Sequence, residues 1–108
     1  MSQWREKRVL VTGGSQGLGF SIARAFGKQG AKVILWARDS ERLRTAVERL
    51  HEDQIEASYE TVDVLDATAV NEGMQAIEKH YGRLDVLVNA VGKSTRIPLG
   101  EASLETYQ

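Results

Sequence analysis

Three glycines, at positions 13, 17 and 19, lie in "VTGGSQGLGFSIARAFGKQG" (residues 11–30), directly after a short apolar run and at the start of an apolar-periodic segment. A phosphate group needs several backbone N–H donors and a helix N-terminus aimed at it, because unpaired helix amides and the macrodipole both favour an anion. Residues without side chains let the main chain approach that closely. The spacing is not G-x-G-x-x-G, and no Gly-Lys-Ser/Thr follows as in a P-loop. Taken alone, the glycines also fit a tight strand-to-helix turn without a ligand. Other polar groups are less pointed. Lys93, Ser94, Thr95 and Arg96 follow the last apolar run and read as a solvated or substrate-lining loop. His51 and His80 fall near the ends of helical segments, where a cationic imidazole is mildly favoured, and receive no catalytic role.

The glycines need elements to hold them. Four apolar runs, "RVLVT", "AKVILWA", the weaker "IEASYETV" and "LDVLVNAV", alternate with three amphipathic segments, the pattern of a parallel sheet with crossover helices. "VILW" and "VLV" are continuous, so both faces of those strands expect cover. In the first helical segment Leu18, Ile22, Ala25 and Phe26 recur at helical spacing, with Gly30 placed to end it. The second carries Leu43, Val47 and Leu50 on one face after the candidate caps Asp39 and Ser40. The third carries Val70, Met74, Ile77 and Tyr81 between Asp66 as cap and Gly82 as stop. Right-handed crossovers then predict an α/β fold, a Rossmann-like doubly wound parallel sheet of strand order 3-2-1-4 with three crossover helices. Its crevice would open outside the C-terminal ends of strands one and four, where the glycines fall. The tail "KSTRIPLGEASLETYQ", with the single proline Pro98, reads as a loop and a helix start around residues 103–108.

The length of 108 residues suits one domain, residues 1–108, with a modest core. A net charge of -1 gives no electrostatic reason to expect nucleic acid or an anionic membrane as partner. The absence of cysteine excludes disulfides, thiolate metal sites and cysteine catalysis, and no metal is expected. The N-terminus "MSQWREKRVL" has charges where a signal peptide needs an apolar run, so a cytoplasmic location is the default expectation.

Thr-Gly-x-x-x-Gly-x-Gly, at Thr12, Gly13, Gly17 and Gly19, resembles the pattern of the short-chain dehydrogenase/reductase family. "VDVLD" resembles that family's Asp-Val segment after the third strand and "LDVLVNAVG" its Asn-Asn-Ala-Gly segment after the fourth. "LGEASLETYQ" resembles the loop and helix start beyond, so the likeness runs along the full chain. It implies a cofactor-binding half that holds a nicotinamide dinucleotide through Thr12, Gly13, Ser15, Gln16, Gly17, Leu18, Gly19, Arg38, Asp63, Val64, Asn89, Ala90 and Gly92. Asp63 and Val64 would lie beside the adenine, Asn89 and Gly92 near the nicotinamide ribose. Ala90 replaces the family's second Asn and Val91 its Ala, which weakens any brace that amide provides. Gln16 stands where some NADP-preferring relatives carry a basic residue.

In such sites an acidic residue at the end of the second strand selects NAD. Ala37 takes that place here, followed by Arg38, whose guanidinium suits a 2′-phosphate. NADP(H) is therefore expected over NAD(H), unless Arg38 instead pairs with Asp39 or Glu41. Trp36 reads as core rather than an adenine platform.

The family transfers hydride between nicotinamide and a carbonyl or alcohol, with a Tyr-x-x-x-Lys pair and a serine. Tyr59 is followed at that spacing by Asp63 and Tyr81 by Asp85, while Tyr107 is the penultimate residue. No catalytic residue is assigned; the family's would fall beyond residue 108. The readings are an NADP(H)-binding portion of a short-chain oxidoreductase, an inactive cofactor-binding module, or an interaction subunit. A chain truncated after its fourth strand would expose an apolar edge, with self-association or a partner chain as the expected result.

Overall fold

The computed structural model describes residues 3–90. Strands β1 (Arg8–Thr12), β2 (Lys32–Ala37), β3 (Ala57–Thr61) and β4 (Val86–Asn89) alternate with helices α1 (Gly17–Lys28), α2 (Ser40–Glu52) and α3 (Ala67–Tyr81). All strands pair in parallel in the order β3-β2-β1-β4, the expected doubly wound arrangement. Gly92, the 93–96 loop and the expected helix start at 103–108 lie outside the described residues.

Strand alternation divides the core in two. Val9, Val11, Val33 and Leu35 point to the face covered by α1 and α2, with Leu43, Val47 and Leu50 beneath them. Leu10, Ile34 and Trp36 point to the opposite face and meet Ile77 of α3. β1 and β2 are thus buried on both sides, which is why their sequences are continuously apolar.

The cap expectations hold for α2 and α3. Asp39 Oδ1 accepts from the amides of Glu41 and Arg42 at 3.0 and 3.2 Å, and Asp66 Oδ1 accepts from those of Thr68 and Ala69 at the same distances. Each satisfies two otherwise orphaned helix donors. Ser40 is the first helical residue of α2, not its cap. Gly82 closes α3 in the left-handed region at φ 88°.

The expected apolar face of α1 is corrected. Leu18 is 71% exposed and Ala25 is exposed, while the buried seam is Gly19, Ala23 and Gly27. A Cβ at Gly27 would collide with the Ile55 side chain, so α1 lies too close to its neighbours for an ordinary apolar residue there. Phe20 and Phe26 flank the seam, half-buried; Phe26 stacks edge-on with Trp4 at 4.9 Å.

At the N-terminal end of β4, Asp85 extends the ladder to β1. Its Oδ2 accepts from the Arg8 amide at 2.9 Å and its own amide donates to the Arg8 carbonyl at 3.0 Å. That backbone hydrogen bond, with the Arg83 guanidinium 3.1 Å away, holds the Asp85 carboxyl below the usual aspartate value.

Candidate functional site

The site assembles at the C-terminal ends of the strands. β1 ends at Thr12 and the chain turns at once, with Gly13 at φ 72° and Gly17 at φ 58°, a left-handed conformation that side-chain-bearing residues rarely adopt. The Gly13 amide donates to the Trp36 carbonyl at 2.8 Å, which fixes the loop to the end of β2. Gly19, in the first turn of α1, lies so close that an added Cβ would meet the Gly13 carbonyl oxygen. The loop is thereby folded back over the start of its own helix.

That helix start differs from the other two. The α1 cap residue is Gln16, which makes no side-chain cap hydrogen bond, and the first turn has no acidic residue. The positive end of the helix dipole therefore faces the loop with neither a capping side chain nor an acidic residue in its first turn.

Thr12 and Asn89 come together across β1 and β4. The buried Thr12 hydroxyl donates to Asn89 Oδ1 at 2.8 Å, and the Ala90 amide donates to the Thr12 carbonyl at 3.0 Å. Thr12 thus acts as a tie between the strands, through its hydroxyl to Asn89 and its carbonyl to the Ala90 main chain.

Beside the loop opens a pocket of about 270 Å³, lined by Gly13, Trp36, Ala37, Arg38, Asp63, Val64 and Leu65. Trp36 is only 2% exposed and belongs to the core as expected. Asp63 turns its carboxylate inward to the Leu65 amide at 2.9 Å, which shapes the rim. Val64 and Leu65 are exposed at this rim, Leu65 to 87%.

Arg38 is exposed and makes no hydrogen bond or ion pair among the described residues. Asp39 is committed to the α2 amides and to Arg42 at 3.6 Å, and Glu41 faces Arg44 at 3.4 Å. The alternative in which Arg38 pairs with Asp39 or Glu41 is not the arrangement seen. On the other side of the loop, Gln16 Oε1 accepts from Arg42 Nη1 at 2.8 Å.

Three neighbours of the site escaped the sequence reading. Gly14 is buried where a Cβ would fall 2.8 Å from Leu35 Cδ2, signalled only by its adjacency to Gly13. Leu65 was visible as an apolar residue in a polar turn. Arg42 looked like any surface charge on a helix. Conversely, Tyr81 offers no chemistry to the site; its hydroxyl lies 2.9 Å from Ser58 Oγ, in the contact between α3 and β3.

Residues 7–108 match the family model for short chain dehydrogenase. Gluconate 5-dehydrogenase of Gluconobacter oxydans is 40% identical over 100 residues, covering 93% of this chain and 39% of that enzyme. A solved structure of a variant actinorhodin polyketide ketoreductase with NADPH superposes with a TM-score of 0.79 at 39% identity, over 86% of this chain and 36% of the other. A metagenomic short-chain oxidoreductase in complex with NADP superposes at 0.82 and 36% identity, over 85% and 42%. The chain thus spans about two fifths of the length of these relatives. With the glycine turn, the strand order and the family match in agreement, the chain belongs to the short chain dehydrogenase family.

Proposed function

We propose that this chain is the NADP(H)-holding portion of an oxidoreductase that moves hydride between nicotinamide and a carbonyl or alcohol. The observation that carries the reading is Arg38, a guanidinium without a partner among the described residues, at the mouth of the apolar pocket, with Ala37 rather than a carboxylate beside it. The uncapped α1 N-terminus and the close approach of Gly19 to Gly13 fit a pyrophosphate, and the apolar rim of Val64 and Leu65 fits an adenine. The NADP and NADPH complexes of the two relatives support the choice of dinucleotide. Gly13, Ser15, Gln16, Gly17, Leu18 and Gly19 would hold the diphosphate side, Arg38 the 2′-phosphate, and Asp63 and Val64 the base. Thr12, Asn89, Ala90 and Gly92 would order the nicotinamide end.

When bound, the nicotinamide supplies the hydride chemistry; the residues of this chain bind and orient it. Among the described residues no tyrosine or lysine stands at the glycine turn to exchange the accompanying proton. A module that binds without turnover is therefore the second reading for the 108-residue chain, and β4, a sheet edge among the described residues, is where it would pair with a second copy or a partner.

The test is a fluorescence titration of wild type and Arg38→Asp with NADPH and NADH. Loss of charge-assisted bonds to the 2′-phosphate should weaken NADPH by about tenfold to a hundredfold while NADH changes little. Equal losses for both would sink the assignment of Arg38. Oxidation of NADPH with a ketone panel by the isolated chain would remove the binding-only reading.

A further inference from the structure

The Gln16–Arg42 contact joins the glycine turn to α2, and nothing in the pyrophosphate reading requires it. Arg42 lies one turn into α2, its Nη1 on the neutral Gln16 Oε1 at 2.8 Å and its Nε 3.6 Å from Asp39 Oδ2. It is 59% exposed and borders a polar hollow of about 390 Å³ that also takes in Ser15, Gln16, Glu41 and Arg49. Arg38, on the other side of Asp39, carries no partner at all among the described residues. Asp39 cannot neutralise both guanidiniums, because its Oδ1 already serves two helix amides. Around the turn and the start of α2, Arg38, Arg42 and Arg49 thus stand against Asp39 and Glu41, and both carboxylates are already engaged, Asp39 by the helix amides and Arg42, Glu41 by Arg44 at 3.4 Å.

We propose that Arg42 is a second specificity-determining residue, which with Arg38 grips the phosphate on the adenosine ribose, in place of the acidic residue that would select a free ribose. This rests on the NADP(H) reading of the site. A guanidinium on a neutral amide oxygen gains from exchanging it for a phosphate dianion, and five donors in a planar fork let it keep Asp39 while doing so. Releasing Gln16 also frees its side-chain amide, which can turn its own N–H donors towards the same phosphate. Arg42 is thus both the tether of the turn in the free protein and a phosphate ligand in the bound one. Its position one turn beyond the Asp39 cap keeps it within the first turn of α2, where the backbone is well fixed.

Binding of adenosine 2′,5′-bisphosphate and adenosine 5′-monophosphate, measured by calorimetry at two salt concentrations, tests this without any turnover. Wild type should prefer the bisphosphate. Arg42→Gln should lose about tenfold for the bisphosphate with little change for the monophosphate, and the salt dependence of bisphosphate binding should shallow. Arg42→Lys, which keeps the charge but not the fork, should recover part of the loss. Equal weakening of both ligands by Arg42→Gln would show a tether alone and overturn the proposal, as would an unchanged preference. A wild-type protein that binds the two ligands equally would instead overturn the NADP(H) reading on which it rests.

Discussion

Gly19→Ala is the sharpest perturbation of the site, because everything the new methyl meets is main chain. The added Cβ would meet the Gly13 carbonyl oxygen and lie 2.8 Å from Gly13 C and 2.9 Å from Gly14 Cα. No side chain can rotate away. Gly13 is anchored by its amide to Trp36, and Thr12 before it is bonded to Ala90 and Asn89, so the turn has little freedom to retreat. Either the turn or the start of α1 must move. Overpacking of this kind costs about 1–3 kcal/mol, while replacing glycine by alanine in a helix returns at most about 1 kcal/mol. Because every contact is main chain, the cost belongs at the top of that range, and a net loss of about 2 kcal/mol should lower the melting temperature by roughly 8–16 °C for a domain of this size. Binding should suffer more. A displaced turn misaligns an amide bond to the phosphates, worth about 1.5–3 kcal/mol to a charged acceptor, so NADPH affinity should fall by about tenfold to a hundredfold.

Thermal denaturation followed by NADPH fluorescence titration measures both quantities on the same samples. Gly17→Asn is the control: Gly17 has φ 58° and nothing within 4 Å of a built Cβ, and asparagine tolerates that conformation. It should cost less on both counts. A Gly19→Ala protein that binds NADPH within about twofold of wild type and melts unchanged would refute the close-approach argument.

Two further perturbations probe the scaffold. Gly73→Ala places a Cβ 2.6 Å from Trp36 Cζ2, so an overpacking cost of about 1–3 kcal/mol should exceed the helix-propensity gain of about 1 kcal/mol. Urea denaturation should show the penalty shrink or reverse when Trp36→Leu makes room; a penalty that persists would place its cause elsewhere. In the folded state the Arg8 amide, with Arg83, holds the pKa of the Asp85 carboxyl below the ordinary aspartate value. The stability it confers is present above the unfolded value of about 3.9 and is lost as pH falls through the lower folded value. Asp85→Asn should therefore lower the urea midpoint near neutrality and flatten its decline below about pH 4; an unchanged acid slope would show that the hydrogen bond carries no linkage.

The sequence made the sheet and its order legible because its signals were strong and local. Continuous apolar runs marked β1 and β2 as buried on both faces, and Asp39 and Asp66 marked helix starts that the hydrogen bonds bear out. The packing face of α1 was not legible from apolarity. Of the apolar period Leu18, Ile22, Ala25 and Phe26, Phe26 packs against the core but Leu18 and Ala25 are exposed, and the buried seam is Gly19, Ala23 and Gly27. Hydrophobic periodicity finds faces that bury large side chains, and a face selected for close approach is nearly silent to it. Arg42 was hidden for a different reason. Its meaning lies in a contact 26 residues distant along the chain, to Gln16, and no local pattern records that.

The buried seam of α1 and the glycine turn are physically one feature. Gly19 is at once the first member of the seam and the residue whose missing side chain lets the turn fold over the helix start. A helix that rode higher on the sheet could accept leucines along this face, but its N-terminal amides would then be lifted away from the turn that ends β1. Close docking along Gly19, Ala23 and Gly27 therefore sets where the positive end of the helix points, and the site inherits its geometry from the core. The capping pattern completes the argument. α2 and α3 satisfy their first amides with Asp39 and Asp66, whereas α1 begins at Gln16 without a capping bond. An aspartate there would stabilise the helix by about 1 kcal/mol and place a negative charge against any phosphate. The helix that starts at the glycine turn is left with its first amides open to an anion.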